Sequence, residues 1–449
     1  MIRMTPVFPI QLKKPMYYAA FYVLLAVIMG VAAVYQPIIS MLGLAVLFMC
    51  IYAIYQPEKM SYLVLLSTAI SINYIVEANF PGLEILSLYK LGILILLVPS
   101  MLQNGLRMKF IYPIVAIAGM LFITLFFSEW HPRLTLSITL KAFIGLALPF
   151  FFLMIKWKKE TAEKHIRIIC LLPVVSVVTG AVLQLVHLYS FLNVEFTGAI
   201  RVQGANIAPH LAMLAFLGIT VALIETKRNP LNAKFLYCTL AANFAILIAT
   251  GTRGPILAML AMAGYYFFDM VKQYIKGKLI LLIPLVCSLA LIGGAVYLQW
   301  DNMTKRSFER QTGTGIDLSG RTEAWNYFLK GVKDSPMTGR GLGAVTVAND
   351  GSLYVGFVVP HNEYIRFYYD SGYIGCILLF LSLLVLFRMI YRVIPQRIKI
   401  YYAAFILAFF LYSMSDNTLS TIQFIIPFCW YLNGLYILST TNSKKEELI

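Results

Sequence analysis

The chain has 449 residues, of which 60% are hydrophobic and 12% charged, with a net charge of +16 and a mean hydropathy of +0.78. Soluble globular proteins carry about 25% charged residues, so this composition excludes a water-soluble enzyme built around one large core. It also excludes a nucleic-acid-binding domain: no soluble basic stretch exists to hold the positive charge, which reads instead as topogenic.

Runs of about 20 apolar residues cross a bilayer as helices because lipid offers no partner for a free backbone amide. The first run, Met16 to about Tyr35, follows basic residues and lacks a small-x-small cleavage site, so it reads as a retained signal anchor. Further runs begin near Pro37, Met60, Leu88, Phe110, Leu134, Ile166, Asn206, Lys234, Gly254, Leu279, Glu363, Ile400 and Thr421. Glu77 and Glu84 interrupt the third and fourth, and the thirteenth is short. The pattern predicts an all-α polytopic membrane protein of about 12–14 transmembrane helices, with short interfacial helices in one large outer loop. The six cysteines fall inside these runs without metal-ligand or CxxC spacing, and read as small lipid- or bundle-facing residues. Four segments follow: a bundle over 1–200, spans with outer-face arginines over 201–300, an outer catalytic loop over 301–362, and C-terminal spans over 363–449.

Alternate connections, at residues 3–14, 59, 107–109, 156–167, 227–234, 272–278, 388–399 and 444–445, carry 23 of the 36 Lys and Arg residues. Cationic loops stay cytoplasmic, so both termini are expected inside and the connection from about Trp300 to His361 outside. Cations at outer ends then need a reason. Lys90, Arg133, Lys305, Arg306 and Arg310 read as snorkelling or loop residues. Lys141, near the outer end of the sixth run, is a further cation available to a ligand.

Arg201, Arg253 and Arg321 read differently. Arg201 lies in GAIRVQGANIAPHLAML, an irregular polar segment feeding the eighth run; His210 within it reads as a packing or hydrogen-bonding residue. Arg253 lies in ATGTRGPILAML, a hairpin tight enough to hold a guanidinium at the bundle mouth, with Gly251 and Gly254 leaving room for a ligand. In SGRTEAWNYFLKGV a helix starts near Thr322, with Trp325, Phe328, Leu329 and Val332 on one face, as for an amphipathic helix lying on the membrane surface. Arg321 stands at its N-terminal end, where the dipole also attracts anions. Gly339, Gly341 and Gly343 have no βαβ context and read as a flexible lid or turn cluster. Three guanidiniums on one face imply an anion with several oxygens, which arginine can bind bidentately. His361, in VVPHNEYIRFYYDSGYIG, adds a group that moves protons near neutral pH.

Arg201, the TG-x-RG hairpin at Arg253, SGRTEAW, P-x-x-G-x-G-x-G from Pro336 and HNEYIRFYYDSGYIG from His361, in that order, resemble the O-antigen ligase/polymerase superfamily of bacterial glycosyltransferases. The resemblance covers roughly Arg201 to Asn417. One departure is His210, where the family commonly has Asn after Pro. The resemblance implies a GT-C-like fold in the bacterial inner membrane and a donor glycan on polyprenyl (undecaprenyl) diphosphate, held by Arg201, Arg253 and Arg321. It further implies that His361 deprotonates an acceptor hydroxyl, that attack inverts the anomeric carbon, and that no cofactor or metal takes part. Asn362, Tyr364, Arg340 and Lys141 are then candidates for positioning donor or acceptor. Implied partners are the lipid-linked oligosaccharide, an acceptor glycan or lipid A core, a chain-length regulator and membrane lipid. Polymerisation of O-antigen or exopolysaccharide repeat units is the favoured activity, ligation to lipid A core the alternative. A transporter or flippase of lipid-linked sugars would tend to show inverted repeats and ionisable groups near the midplane; no repeat is seen, and the charges sit at the outer rim.

Overall fold

The computed structural model describes residues 37–75, 84–195, 198–283, 321–351 and 359–446, with Gly30, Leu353 and scattered positions across 285–304. The expected anchor at Met16, Glu77, Lys305, Arg306, Arg310 and the Ser319–Gly320 pair lie outside these residues. Thirteen helices matter here: α1 Pro37–Tyr55, α2 Pro57–Ser67, α3 Ile85–Asn104, α4 Tyr112–Phe126, α5 Leu136–Met154, α6 Lys159–Leu185, α7 Ala208–Arg228, α8 Ala233–Ala249, α9 Arg253–Ile275, α10 Arg321–Gly331, α11 Glu363–Val393, α12 Gln396–Ser413 and α13 Ile422–Glu446. Among the described residues one hairpin, β1 Leu192–Val194 and β2 Ile200–Val202, pairs Asn193 with Arg201. The fold is therefore the all-α polytopic one expected. Among the described residues eight helices are long and apolar enough to cross a membrane, and two shorter apolar ones, Gly43–Tyr55 and Tyr112–Phe126, join them.

Local chemistry sets where these helices begin. Pro57, Pro113 and Pro209 occupy first turns, where a missing N–H costs nothing. Thr135 caps α5 by accepting from the Ile138 N–H. Burial then sorts centre from rim: α7 and α13 are buried over 89% and 94% of their apolar windows, α3 over only 17%. α7 packs against α6 and α8, α13 against α5 and α6, and α4 against α11. One hydrophobic core links helices from both halves of the chain.

The connections sort into two ends. At one end Lys158 meets Glu58 at 2.7 Å, Arg167 donates to Asn232, Arg397 donates to the Arg228 carbonyl, and Lys227 pairs with Asp269 at 2.7 Å. These are the connections the charge pattern grouped together. At the opposite end Ser71 donates to Asn206, Ser128 to the Thr338 carbonyl and Arg133 to the Ala348 carbonyl. The hydropathy periods and the charge bias thus agree with how the connections actually cluster.

α11 is broken. Gly372 (φ 62°, ψ −166°) is non-helical, so an outer piece, Glu363 to Ser371, meets the longer apolar piece at an angle. The loop from Pro336 to Gly343 packs onto that break. Arg340 and Gly341 N–H groups donate to the Tyr369 and Asp370 carbonyls, and Tyr373 N–H donates to the Pro336 carbonyl. Asp370 Oδ2 and Oδ1 accept from the Gly343 and Val345 N–H groups. A Cβ on Gly339 would lie 2.5 Å from the Gly372 nitrogen, and one on Gly372 2.3 Å from the Met337 carbonyl carbon. The glycine cluster is a set of turns pinned by backbone hydrogen bonds into a brace, so of the two expectations, lid or turn cluster, the turn cluster is the one the structure has.

α10 is described from Arg321, and part of its apolar face is covered by protein while Leu329 stays 41% exposed. Ala324 is buried, and Phe328 and the following Val332 lie in a small outer core with Leu134, Val345 and Tyr369. Phe328 meets Tyr369 edge-on at 5.3 Å. An amphipathic period is satisfied by protein as well as by lipid, and here protein covers Phe328 and Val332.

Candidate functional site

His361 stands at the entrance to α11 in the left-handed region, φ 49°, a conformation that costs energy for a non-glycine residue and needs support from both sides. Upstream, the Pro360 carbonyl accepts from Trp325 Nε1 of α10 at 2.8 Å. Downstream, Asn362 caps α11, its Oδ1 accepting from the Tyr364 and Ile365 N–H groups. Glu363 is fully buried, and its Oε1 accepts from the Leu419 and Ser420 N–H groups in the connection between α12 and α13. The Pro-His-Asn-Glu run therefore holds an imidazole at a fixed angle on a rigid helix start.

That same connection supplies its partner. Asp416 Oδ1 lies 3.3 Å from His361 Nδ1, with the Asp416 side chain 7% and the imidazole 33% exposed. Asn417 Nδ2 is 3.2 Å from the same nitrogen, while Asn417 Oδ1 is buried without a hydrogen bond among the described residues. Turning that amide would set Oδ1 against an Nδ1–H shared with Asp416, leaving Nε2 unprotonated. Burial alone would raise the Asp416 carboxyl. The hydrogen bond and charge of His361, the Asn417 N–H and the Arg321 charge outweigh it, and the group sits below the usual aspartate range.

Of the arginines, Arg321 reaches the Asp416 charge, while Arg253 and Arg201 connect to this pair only through intervening residues. Arg321 lies within charge reach of both Asp416 and Tyr412. Arg253, half-buried, opens α9 directly after a turn made by Thr250, Gly251 (φ 60°) and Thr252. A Cβ on Gly254 would come within 2.6 Å of Ser415 Oγ, so α9 abuts the residue preceding Asp416. The space at Gly254 is taken by protein, not left for a ligand as its sequence suggested.

Arg201 is built into the wall. Its Nε donates to the Thr250 carbonyl, Nη2 to Thr252 Oγ1 and Nη1 to Glu195 Oε1, each at 2.7 Å. Only 7% of its side chain is exposed. These bonds clamp the β-hairpin onto the turn that presents Arg253. His210 is likewise engaged, with Nδ1 3.0 Å from Ser71 Oγ and its ring 5.8 Å from Tyr74.

Other candidates lie elsewhere. Tyr364 donates its hydroxyl to the Phe410 carbonyl and stacks on Phe380. Arg340 lies at the α11 break, 3.5 Å from Glu129. Lys141 lies 3.9 Å from Glu84. The sequence reading missed Asp416 and Glu363. The one available signal was a polar SMSDNTLST stretch at an outer end, with nothing in its spacing to tie it to His361.

Residues 238–380 match a family model described as O-antigen ligase. The match includes Arg253, Arg321, the glycine brace and His361, covers about a third of the chain, and supports the O-antigen ligase/polymerase superfamily. A search of curated proteins gave no match.

Proposed function

We propose that this ligase/polymerase-type membrane protein is an inverting, metal-independent glycosyltransferase that elongates polyprenyl-diphosphate-linked glycans on the outer face of a bacterial cytoplasmic membrane. The observation that carries this is the 3.3 Å pairing of His361 Nδ1 with buried Asp416; it is supported by Arg321 within charge reach of Asp416 and by Arg253 opening a helix that abuts Ser415. Imidazole Nε2 takes the proton from an acceptor sugar hydroxyl as that oxygen bonds to the anomeric carbon of the donor. The bond from that carbon to the diphosphate oxygen breaks, and the carrier diphosphate leaves with the electron pair. Arg253 and Arg321 neutralise the charge it gains, and attack opposite the leaving group inverts the centre. Asp416 keeps Nδ1 protonated and balances the imidazolium. A general base contributes about 10²–10⁴ in rate, and charge stabilisation of the leaving group a comparable factor. Asn362 positions the imidazole through the helix start, and Arg201 positions Arg253.

The favoured acceptor is a second carrier-linked repeat unit, which makes the enzyme a polysaccharide polymerase with both termini cytoplasmic. Purified protein incubated with carrier-linked repeat units alone should yield a ladder of longer carrier-linked glycans. Elongation seen only after lipid A core is added would identify a ligase instead.

A further inference from the structure

Lys90 on α3, Lys141 on α5 and Arg366 on α11 form a second basic cluster. Lys90 lies within charge reach of Arg366 and of Glu84, and Glu84 is the carboxylate 3.9 Å from Lys141. A Cβ on Gly145 would come within 2.9 Å of Lys90 Nζ, so the ammonium passes directly over α5. The Arg366 side chain is 12% exposed, and its buried Nε makes no hydrogen bond among the described residues.

Three carboxylates are near. Glu84 is 74% exposed, and Glu363 Oε2 stands 4.0 Å from Arg366 Nε. Asp370 is within charge reach of Arg366, with both its oxygens held by the Gly343 and Val345 N–H groups. Glu84 and Glu363 stand at the outer limit of an ion pair with Lys141 and Arg366, and none of the three carboxylates makes a hydrogen bond to a cluster cation among the described residues.

Directly beneath lies an apolar cleft of about 120 Å³ between α3, α4 and α5, lined by Leu94, Ile114, Ile144, Ala147, Leu148 and Phe151 among others. Leu94 is one helical turn below Lys90, and Ile144 one turn below Lys141. A cationic head site above a hydrocarbon groove fits a long-chain lipid with a phosphate head.

We propose that this cluster and cleft bind a second carrier lipid, the polyprenyl diphosphate end of the acceptor, as the Arg253 site binds that of the donor. The assignment of donor and acceptor rests on the transferase reading above; the lipid site itself does not.

The test uses the full chain in phosphatidylcholine nanodiscs, with radiolabelled undecaprenyl diphosphate and, separately, inorganic pyrophosphate. Two lipids should bind per chain. Lys90→Gln with Lys141→Gln should weaken one event at least tenfold, and Arg253→Ala the other. Leu94→Trp, which fills the cleft, should weaken lipid binding at the first site at least tenfold and leave pyrophosphate affinity within twofold. A single lipid per chain, lost with Arg253→Ala and indifferent to Lys90 and Lys141, would overturn the site while leaving the transferase reading intact. Pyrophosphate binding at the cluster without any advantage for the lipid would overturn the lipid occupant. Two lipids bound by a protein that elongates no glycan would uphold the site and retire the transferase.

Discussion

Glu363 Oε1 accepts from the Leu419 N–H at 2.6 Å, although 56 residues and the whole of α11 and α12 separate them. This bond joins the helix start carrying His361 to the connection carrying Asp416. Replacing Glu363 with Ala leaves the buried Leu419 N–H and its neighbour at Ser420 without an acceptor, at about 1–3 kcal/mol for each orphaned group. We expect a lower unfolding temperature in detergent together with a loss of transfer, and partial recovery of both with Gln, which keeps one acceptor oxygen. Equal damage from Ala and Gln would mean the charge matters more than the hydrogen bonds.

Asp416→Asn should lower transfer by about 10²-fold or more, because the amide no longer balances the imidazolium or fixes its tautomer. Membrane insertion should be unaffected. Its pH signature has a definite sign. A carboxyl held below its unfolded value of about 3.9 stabilises the fold above that pH and ceases to do so as pH falls through the lower folded value. The stability gap between wild type and Asp416→Asn should therefore be full at pH 6 and close on acidification. A gap that widens in acid would contradict the depressed carboxyl.

Arg253→Lys should be severely impaired in transfer, since an ammonium cannot grip a diphosphate bidentately. Arg201→Lys should instead act through structure, because its three nitrogens hold the Thr250–Thr252 turn and Glu195. The second variant should lower thermal stability as well as activity, and the first activity alone. Matching stability losses would place both residues in the scaffold.

Gly372→Ala should compromise folding. Its φ of 62° is strained for a Cβ-bearing residue by about 1–3 kcal/mol, and the added carbon would meet the Met337 backbone at 2.3 Å. The yield of monodisperse protein from detergent extracts measures this directly; a normal yield would mean the brace can shift.

Much of the framework was legible because its causes are local. Each described span begins near an apolar run, and the Lys and Arg residues of alternate connections meet at one end. His361, Arg253 and Arg321 stood out as polar groups where an apolar chain should have none. What stayed hidden depends on distant contacts. Asp416 is an ordinary loop carboxylate until the fold sets it beside His361. Gly339, Gly341 and Gly343 look mobile until the break at Gly372 gives them a surface. The stripe of Phe328 and Val332 says only that a helix has an apolar face, not whether lipid or Tyr369 covers it. Arg201 reads as an anion ligand because sequence cannot reveal that Thr250, Thr252 and Glu195 already occupy it.

Single-turnover transfer by His361→Ala, in nanodiscs with a carrier-linked donor, is the most direct test of the central claim. The account predicts a rate at least about 10²-fold below wild type, with donor binding and membrane insertion unchanged. Turnover close to wild type would remove His361 as the base and contradict the mechanism.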